Sequence, residues 1–139
     1  MSMLQRAIEI ALKAHNNQTD KAGLPYLLHV FQVMSRGKNE DEKITALLHD
    51  VLEDSNMTFE QLLAEGFPPR ILAAVRCLTR NEGESYEAFI ERVKSNSLAT
   101  RVKLCDLEDN MDIRRLSSLS EKDMDRLNKY LKAYRHLLD

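Results

Sequence analysis

His49 and Asp50 stand side by side in one of the most apolar stretches of the chain, Ala46-Leu47-Leu48-His49-Asp50-Val51-Leu52-Glu53-Asp54. A charged group buried without a partner is costly, so a pair of this kind needs compensation. At helical spacing Asp50 stacks on Asp54, and Glu53 lies one turn from His49 and Asp50. These carboxylates repel one another, and near the C-terminal end of a helix the macrodipole disfavours them. A bound divalent cation is the most economical remedy. A second segment repeats the pattern: Val102-Lys103-Leu104-Cys105-Asp106-Leu107-Glu108-Asp109-Asn110 runs apolar and then turns acidic, with Asp109 and Asn110 one turn beyond Asp106. His29, after Pro25-Tyr26-Leu27-Leu28, adds another imidazole. His29, His49, Asp50 and Asp106 together form a mixed nitrogen and oxygen donor set, which suits Mn, Fe, Co or Zn rather than Ca or Mg. On the residues alone, two simpler uses stay open: His29 as a hydrogen-bonded core residue, and Glu53-Asp54 as a solvated helix end.

The elements that must position these residues read as helices throughout. Leu4, Ala7, Ile8, Ala11 and Leu12 lie on one face of a first helix that ends around His15-Asn16-Asn17. A polar loop, residues 18–23, leads to Pro25, which suits the first turn of a second helix running to about Met34. Asn39-Glu40-Asp41-Glu42 opens a third helix that carries Ile44, Ala46, Leu47, Leu48, Val51 and Leu52 and must be central. Thr58-Phe59-Glu60-Gln61 is a capping box for a short fourth helix ending at Gly66. Pro68-Pro69 starts a fifth, Ser85 caps a sixth to about Lys94, and a seventh spans Leu98 to about Asn110. Ser120-Glu121-Lys122-Asp123 opens a long last helix whose exposed face is a candidate surface for a homo-oligomer. No segment alternates with period two, so the fold class is all-α, an irregular bundle of about seven or eight helices in one domain over residues 1–139.

Composition narrows the function. The chain has 139 residues, 43% hydrophobic and 30% charged, with a formal net charge of -2, which supports a core and speaks against nucleic acid as a partner. Cys77 and Cys105 form no C-x-x-C pair, so a zinc-finger or thioredoxin reading falls away, and two buried, reduced thiols are expected. No apolar run approaches the ~20 residues of a membrane span, and the N-terminus lacks the apolar stretch of a leader. A cytoplasmic protein that binds no membrane is therefore expected.

The motifs resemble the HD superfamily of metal-dependent phosphohydrolases, and within it the hydrolase domain of RelA/SpoT-type proteins. Ala14-His15-Asn16-Asn17-Gln18 with Lys21-Ala22-Gly23-Leu24-Pro25-Tyr26-Leu27-Leu28-His29 is similar to that domain's first motif, residues 46–55 to its HD-x-x-ED motif, and Val102 to Asn110 to its K-L-x-D-x-x-x-N motif. The resemblance implies the HD-domain fold and hydrolysis of the 3′-pyrophosphate of (p)ppGpp-like alarmones to GDP or GTP and pyrophosphate. It implies His29, His49, Asp50 and Asp106 as ligands of a divalent metal, most often Mn2+. Glu53 and Asp54 match the pair that activates or orients water, and Lys21 and Asn110 match substrate-binding positions. With no synthetase or regulatory region, the chain is expected to resemble the small stand-alone hydrolases.

Three departures stand out. Asp20 occupies the place of an arginine that lies against guanine, Val30 replaces a proline, and Leu107 and Asp109 replace basic and histidine positions. Two other readings thus stay open beside the first: an HD phosphohydrolase for another nucleotide or phosphate ester, and an inactive HD ligand-binding module. Lys103 and Arg101 read as a solvated helix face, His15 as a loop anchor, and Tyr130, Tyr134 and His136 as packing or surface residues. Cys105 has no base nearby and is not expected to act as a nucleophile.

Overall fold

The most apolar segment of the chain became its central helix. A computed structural model describes all 139 residues, Met1–Asp139. Nine α-helices follow in order: α1 Met3–Ala14, α2 Leu27–Arg36, α3 Glu40–Leu48, α4 Val51–Asp54, α5 Phe59–Ala64, α6 Pro69–Leu78, α7 Tyr86–Lys94, α8 Ser97–Asn110 and α9 Glu121–Leu138. A 3-10 turn, Ile113–Arg115, links the last two. There is no sheet; an isolated antiparallel bridge joins Thr19 and Pro25. The fold is all-α, as expected.

Helix α3 packs against α1, α2, α6 and α8, and Ile44 through His49 are all buried. Helix α8 packs against α2, α3, α6, α7 and α9. The two central helices are pinned at one end by Glu42, a buried carboxylate that accepts from Arg101 Nε at 2.9 Å and from the backbone amide of Lys38 at 3.1 Å. Asn39 caps α3 by accepting from the Glu42 amide at 2.9 Å. Arg101 lies on a solvated face, as the sequence suggests, and from there also pairs with Glu42 across the two helices.

Two boundaries differ from the sequence reading. The third helix does not run through to Asp54: it stops at Leu48, His49 and Asp50 form a turn, and α4 restarts at Val51. Asp50 has φ −108° and ψ 2°, outside the helical region, although the Asp54 amide still donates to the Asp50 carbonyl at 3.0 Å. The acids Asp50, Glu53 and Asp54 therefore belong to the start of a new short helix, where the backbone amides favour them, and not to the end of a long one. The second helix begins at Leu27, because Pro25 is held in the bridge to Thr19. The other caps match expectation, including the Thr58 capping box and the Ser85 and Ser120 caps. Cys77 and Cys105 are free, and half-buried rather than buried.

No helix is long and apolar enough to cross a membrane. Leu47 is fully buried on the central helix. Leu47→Ala should destabilise the fold by about 2–5 kcal/mol, read as a lower urea midpoint with an unchanged slope.

Candidate metal centre

Helices α2, α3 and α8 pack on one another, and each delivers a donor to one point. Helix α2 brings His29, the turn that ends α3 brings His49 and Asp50, and α8 brings Asp106. Ligand atoms of His29, His49 and Asp50 all lie within 4.8 Å of one another. Asp106 Oδ1 sits 2.8 Å from His29 Nε2 and 3.4 Å from His49 Nε2, and Asp50 Oδ2 is 3.0 Å from His49 Nε2.

The orientation of each imidazole is fixed from behind. His49 Nδ1–H donates to the Ala46 carbonyl at 2.5 Å, which leaves Nε2 as the free nitrogen. That atom is buried and has no hydrogen-bond partner, yet it faces two carboxylate oxygens. A lone pair pointed at anions is an arrangement that a cation satisfies. His29 Nδ1–H donates to Asp109 Oδ2 at 2.6 Å, again turning Nε2 inward. A carboxylate behind a metal-binding imidazole sets its tautomer and raises its basicity. Burial by itself lowers the His29 pKa, but the bonds to Asp106 and Asp109 outweigh it and bring it to about 9. Asp109 is 3.6 Å from Arg36 and 3.4 Å from Arg115, so its own charge is balanced. The two-nitrogen, two-oxygen set fits a divalent transition ion.

The carboxylates are held as tightly. Tyr26 Oη donates to Asp50 Oδ2, and burial together with Asp50 pushes the phenol well above the usual tyrosine range. Asp106 accepts from Asn110 Nδ2 at 3.2 Å and from Lys103 Nζ at 2.8 Å. Burial would raise the Asp106 pKa, but Lys103 and the two imidazoles hold it well below the ordinary range. His15 is buried under this layer, its ring 5.1 Å from that of Tyr26 and its Nδ1 2.9 Å from Gln18 Oε1. It anchors the loop, as its place in the motif implies.

Glu53 and Asp54 lie on the outer side of the cluster and are exposed. Glu53 accepts from the Arg80 backbone amide. Partial desolvation against the cluster, then the charges of Asp50 and Glu53, raise the Asp54 carboxyl to about 6. Two cavities meet at the centre. One of about 380 Å3 is lined by His29, Lys21, Asn110, Ile113, Leu127 and Tyr130 among others, and a smaller one of about 200 Å3 by Asp50, Asp106, Glu53 and several cations.

Asp20 does something an arginine could not. Its Oδ1 accepts from the backbone amides of Ala22 and Leu24, both at 2.9 Å, and closes the turn that Gly23 completes with φ +83°. The carboxylate is thus spent on the loop, and its neighbour Lys21 is left at the cavity rim. Three residues escaped the sequence reading. Asp109 departs from the motif yet orients His29, Lys103 reads as a solvated helix face yet pairs with Asp106, and Tyr130 reads as a packing or surface residue yet lines both cavities. A lysine one turn before a buried aspartate was the available signal for Lys103.

No protein-family model matches the chain. It is 32% identical over 120 residues to a guanosine-3′,5′-bis(diphosphate) 3′-pyrophosphohydrolase of Aquifex aeolicus, covering 78% of this chain and 17% of that protein. It is 29% identical over 130 residues to the bifunctional (p)ppGpp synthase/hydrolase SpoT of Escherichia coli K12, covering 84% of this chain and 18% of that one. The chain thus spans less than a fifth of these relatives' length. A solved structure described as a metazoan ortholog of SpoT that hydrolyzes ppGpp superposes with a TM-score of 0.80 at 24% identity, covering 99% of this chain and 86% of that one. The resemblance to RelA/SpoT-type proteins is borne out by these relatives, and the fold is that of the metazoan structure.

Asp109 pairs with His29 and with none of the other three donors, so it separates orientation from ligation. Asp109→Ala should weaken Mn2+ binding by about 10–100-fold in calorimetric titration.

Proposed function

We propose that this RelA/SpoT-like chain is a divalent-metal-dependent phosphohydrolase that removes the 3′-pyrophosphate of a (p)ppGpp-like nucleotide, giving the 5′-nucleotide and pyrophosphate. The observation that carries the reading is the convergence of His29, His49, Asp50 and Asp106 with His49 Nε2 buried and unpartnered. The similarity to proteins named for this activity supports the substrate.

We assign His29, His49, Asp50 and Asp106 as the ligands and Mn2+ as the metal. A divalent ion held by these residues would supply Lewis-acid chemistry toward water and a phosphoryl oxygen. The protein's own groups then do the positioning that phosphoryl transfer mostly requires. Asp54, with a pKa of about 6, takes the proton of the attacking water near neutral pH. Glu53 is fixed by the Arg80 amide beside it and holds the water in line. Tyr26 and Asn110 lock the two ligand carboxylates, and Asn110 also borders the substrate. Lys21 stands at the rim of the larger cavity, where it meets the nucleotide. The nucleoside occupies that cavity, against Ile113, Leu127 and Tyr130.

A second reading rests on one observation. Asp20 is tied into its own loop, so the base is not read by a stacked guanidinium at that place. Another phosphorylated nucleotide is then the substrate. A panel of nucleotides with Mn2+ present distinguishes the two: pyrophosphate release from ppGpp well above all others supports the first, and an untouched ppGpp rejects it.

A base must be deprotonated to act, so activity from Asp54 is present above its pKa and lost as pH falls through about 6. The pH–rate profile should show that acidic limb, and Asp54→Asn should lower kcat by roughly 10²–10⁴-fold and remove the limb. Asp50→Ala should abolish Mn2+-dependent pyrophosphate release.

A further inference from the structure

The smaller cavity gathers three cations, of which Lys103 is paired with Asp106 while the side chains of Arg80 and Lys129 make no ion pair. Arg80 reaches it from the segment after α6, Lys103 from α8 and Lys129 from α9, so three separate elements converge there. Tyr86 lies among them: Lys129 Nζ is 4.5 Å and the Arg80 guanidinium 5.9 Å from its ring centre. The Tyr86 hydroxyl is buried and has no hydrogen-bond partner.

We propose that Arg80, Lys103, Lys129 and the Tyr86 hydroxyl form a subsite for the terminal phosphoryl group of a nucleotide 3′-diphosphate. This deepens the phosphohydrolase reading and rests on it. The carboxylates at this cavity are Asp50, Asp106 and Glu53. With a divalent ion balancing Asp50 and Asp106, three cations, Lys103 among them on Asp106, share the cavity with the one further carboxylate of Glu53, a surplus that a terminal phosphate neutralises. Lys129 has no ion-pair partner, and Arg80 spends Nε on the Glu84 carbonyl at 2.9 Å while the rest of its guanidinium makes no ion pair. Partial desolvation, followed by Arg80 and Lys103, pushes the Lys129 ammonium below the ordinary lysine range. Holding a surplus of like charge together is unfavourable unless an anion joins it.

The chemistry gives such a subsite a task. The water oxygen bonds to the phosphorus attached to the ribose, the P–O3′ bond breaks, and the 3′ oxygen departs with a proton. Both phosphoryl groups leave together as pyrophosphate. The reacting phosphorus lies at the metal centre, the nucleoside in the larger cavity, and the second phosphoryl group among the cations. A 3′-monophosphate has nothing to place there, so the subsite selects diphosphates.

The experiment uses the full chain loaded with Mn2+. Inorganic pyrophosphate, premixed with equimolar Mn2+, is titrated into wild type, Lys129→Ala and Arg80→Ala, with inorganic phosphate as the comparison. Lys129 is exposed, and circular dichroism checks that each variant is folded. Each variant should lose about tenfold in pyrophosphate affinity, the worth of one charge-assisted hydrogen bond, with phosphate affinity unchanged. Lys129→Ala should also raise KM for ppGpp with kcat nearly unaltered. Folded variants that bind pyrophosphate as wild type does overturn the subsite, even if ppGpp is cleaved. Pyrophosphate binding that depends on Lys129 in a protein that leaves ppGpp intact keeps the subsite and rejects the substrate.

Discussion

Two imidazoles and two carboxylates are driven into one buried point where three helices meet, and the rest of the molecule is arranged to hold them there. Each is tied from behind: His49 to the Ala46 carbonyl, His29 to Asp109, Asp50 to Tyr26, and Asp106 to Asn110 and Lys103. Every tie turns a nitrogen or oxygen lone pair toward the same space. Buried polar groups are affordable only when such networks are complete. Among the four donor residues the buried atom without a hydrogen bond is His49 Nε2, and it faces the other donors.

The fold serves this arrangement at both ends of its central helices. Glu42 and Arg101 fix α3 and α8 at one end, and the cluster joins them at the other. The break in the helix at His49-Asp50 turns Asp50 toward His49 and hands Glu53 and Asp54 to a new helix start. The loop after α1 is braced by Asp20, Gln18 and His15, with Gln18 Nε2 donating to the Asp54 carbonyl at 2.7 Å. The loop, the four donor residues and the acids Glu53 and Asp54 are therefore one connected unit. The two cavities open on either side of Tyr26, Asn110 and Tyr130, which line both.

Much of this was legible in the residues. His49-Asp50 and Asp106 stood out because charge is costly in an apolar helix, and His29 followed from the motif. Helix caps at Thr58, Ser85 and Ser120 were readable because capping is local. What stayed hidden depends on contacts across the chain. Asp109 orients His29 from 80 residues away, and a one-turn spacing to Asp106 could not reveal that. Lys103 sits beside Asp106 in a helix whose exposed side cannot be told from its sequence, since α8 is surrounded by five helices. The break at His49-Asp50 follows from tertiary packing, which overrides a helical pattern that continues through Leu52. Asp20 was visible as a departure, but its use in the loop was not.

The account stands on the donor set being a metal site. Calorimetry with Mn2+, paired with electron paramagnetic resonance of the bound ion, measures it most directly. The account predicts one ion per chain, bound with nitrogen coupling from imidazole and lost in Asp106→Ala while the fold survives. Binding of Mn2+ that shows no imidazole nitrogen, or that persists unchanged in folded Asp106→Ala, would contradict it.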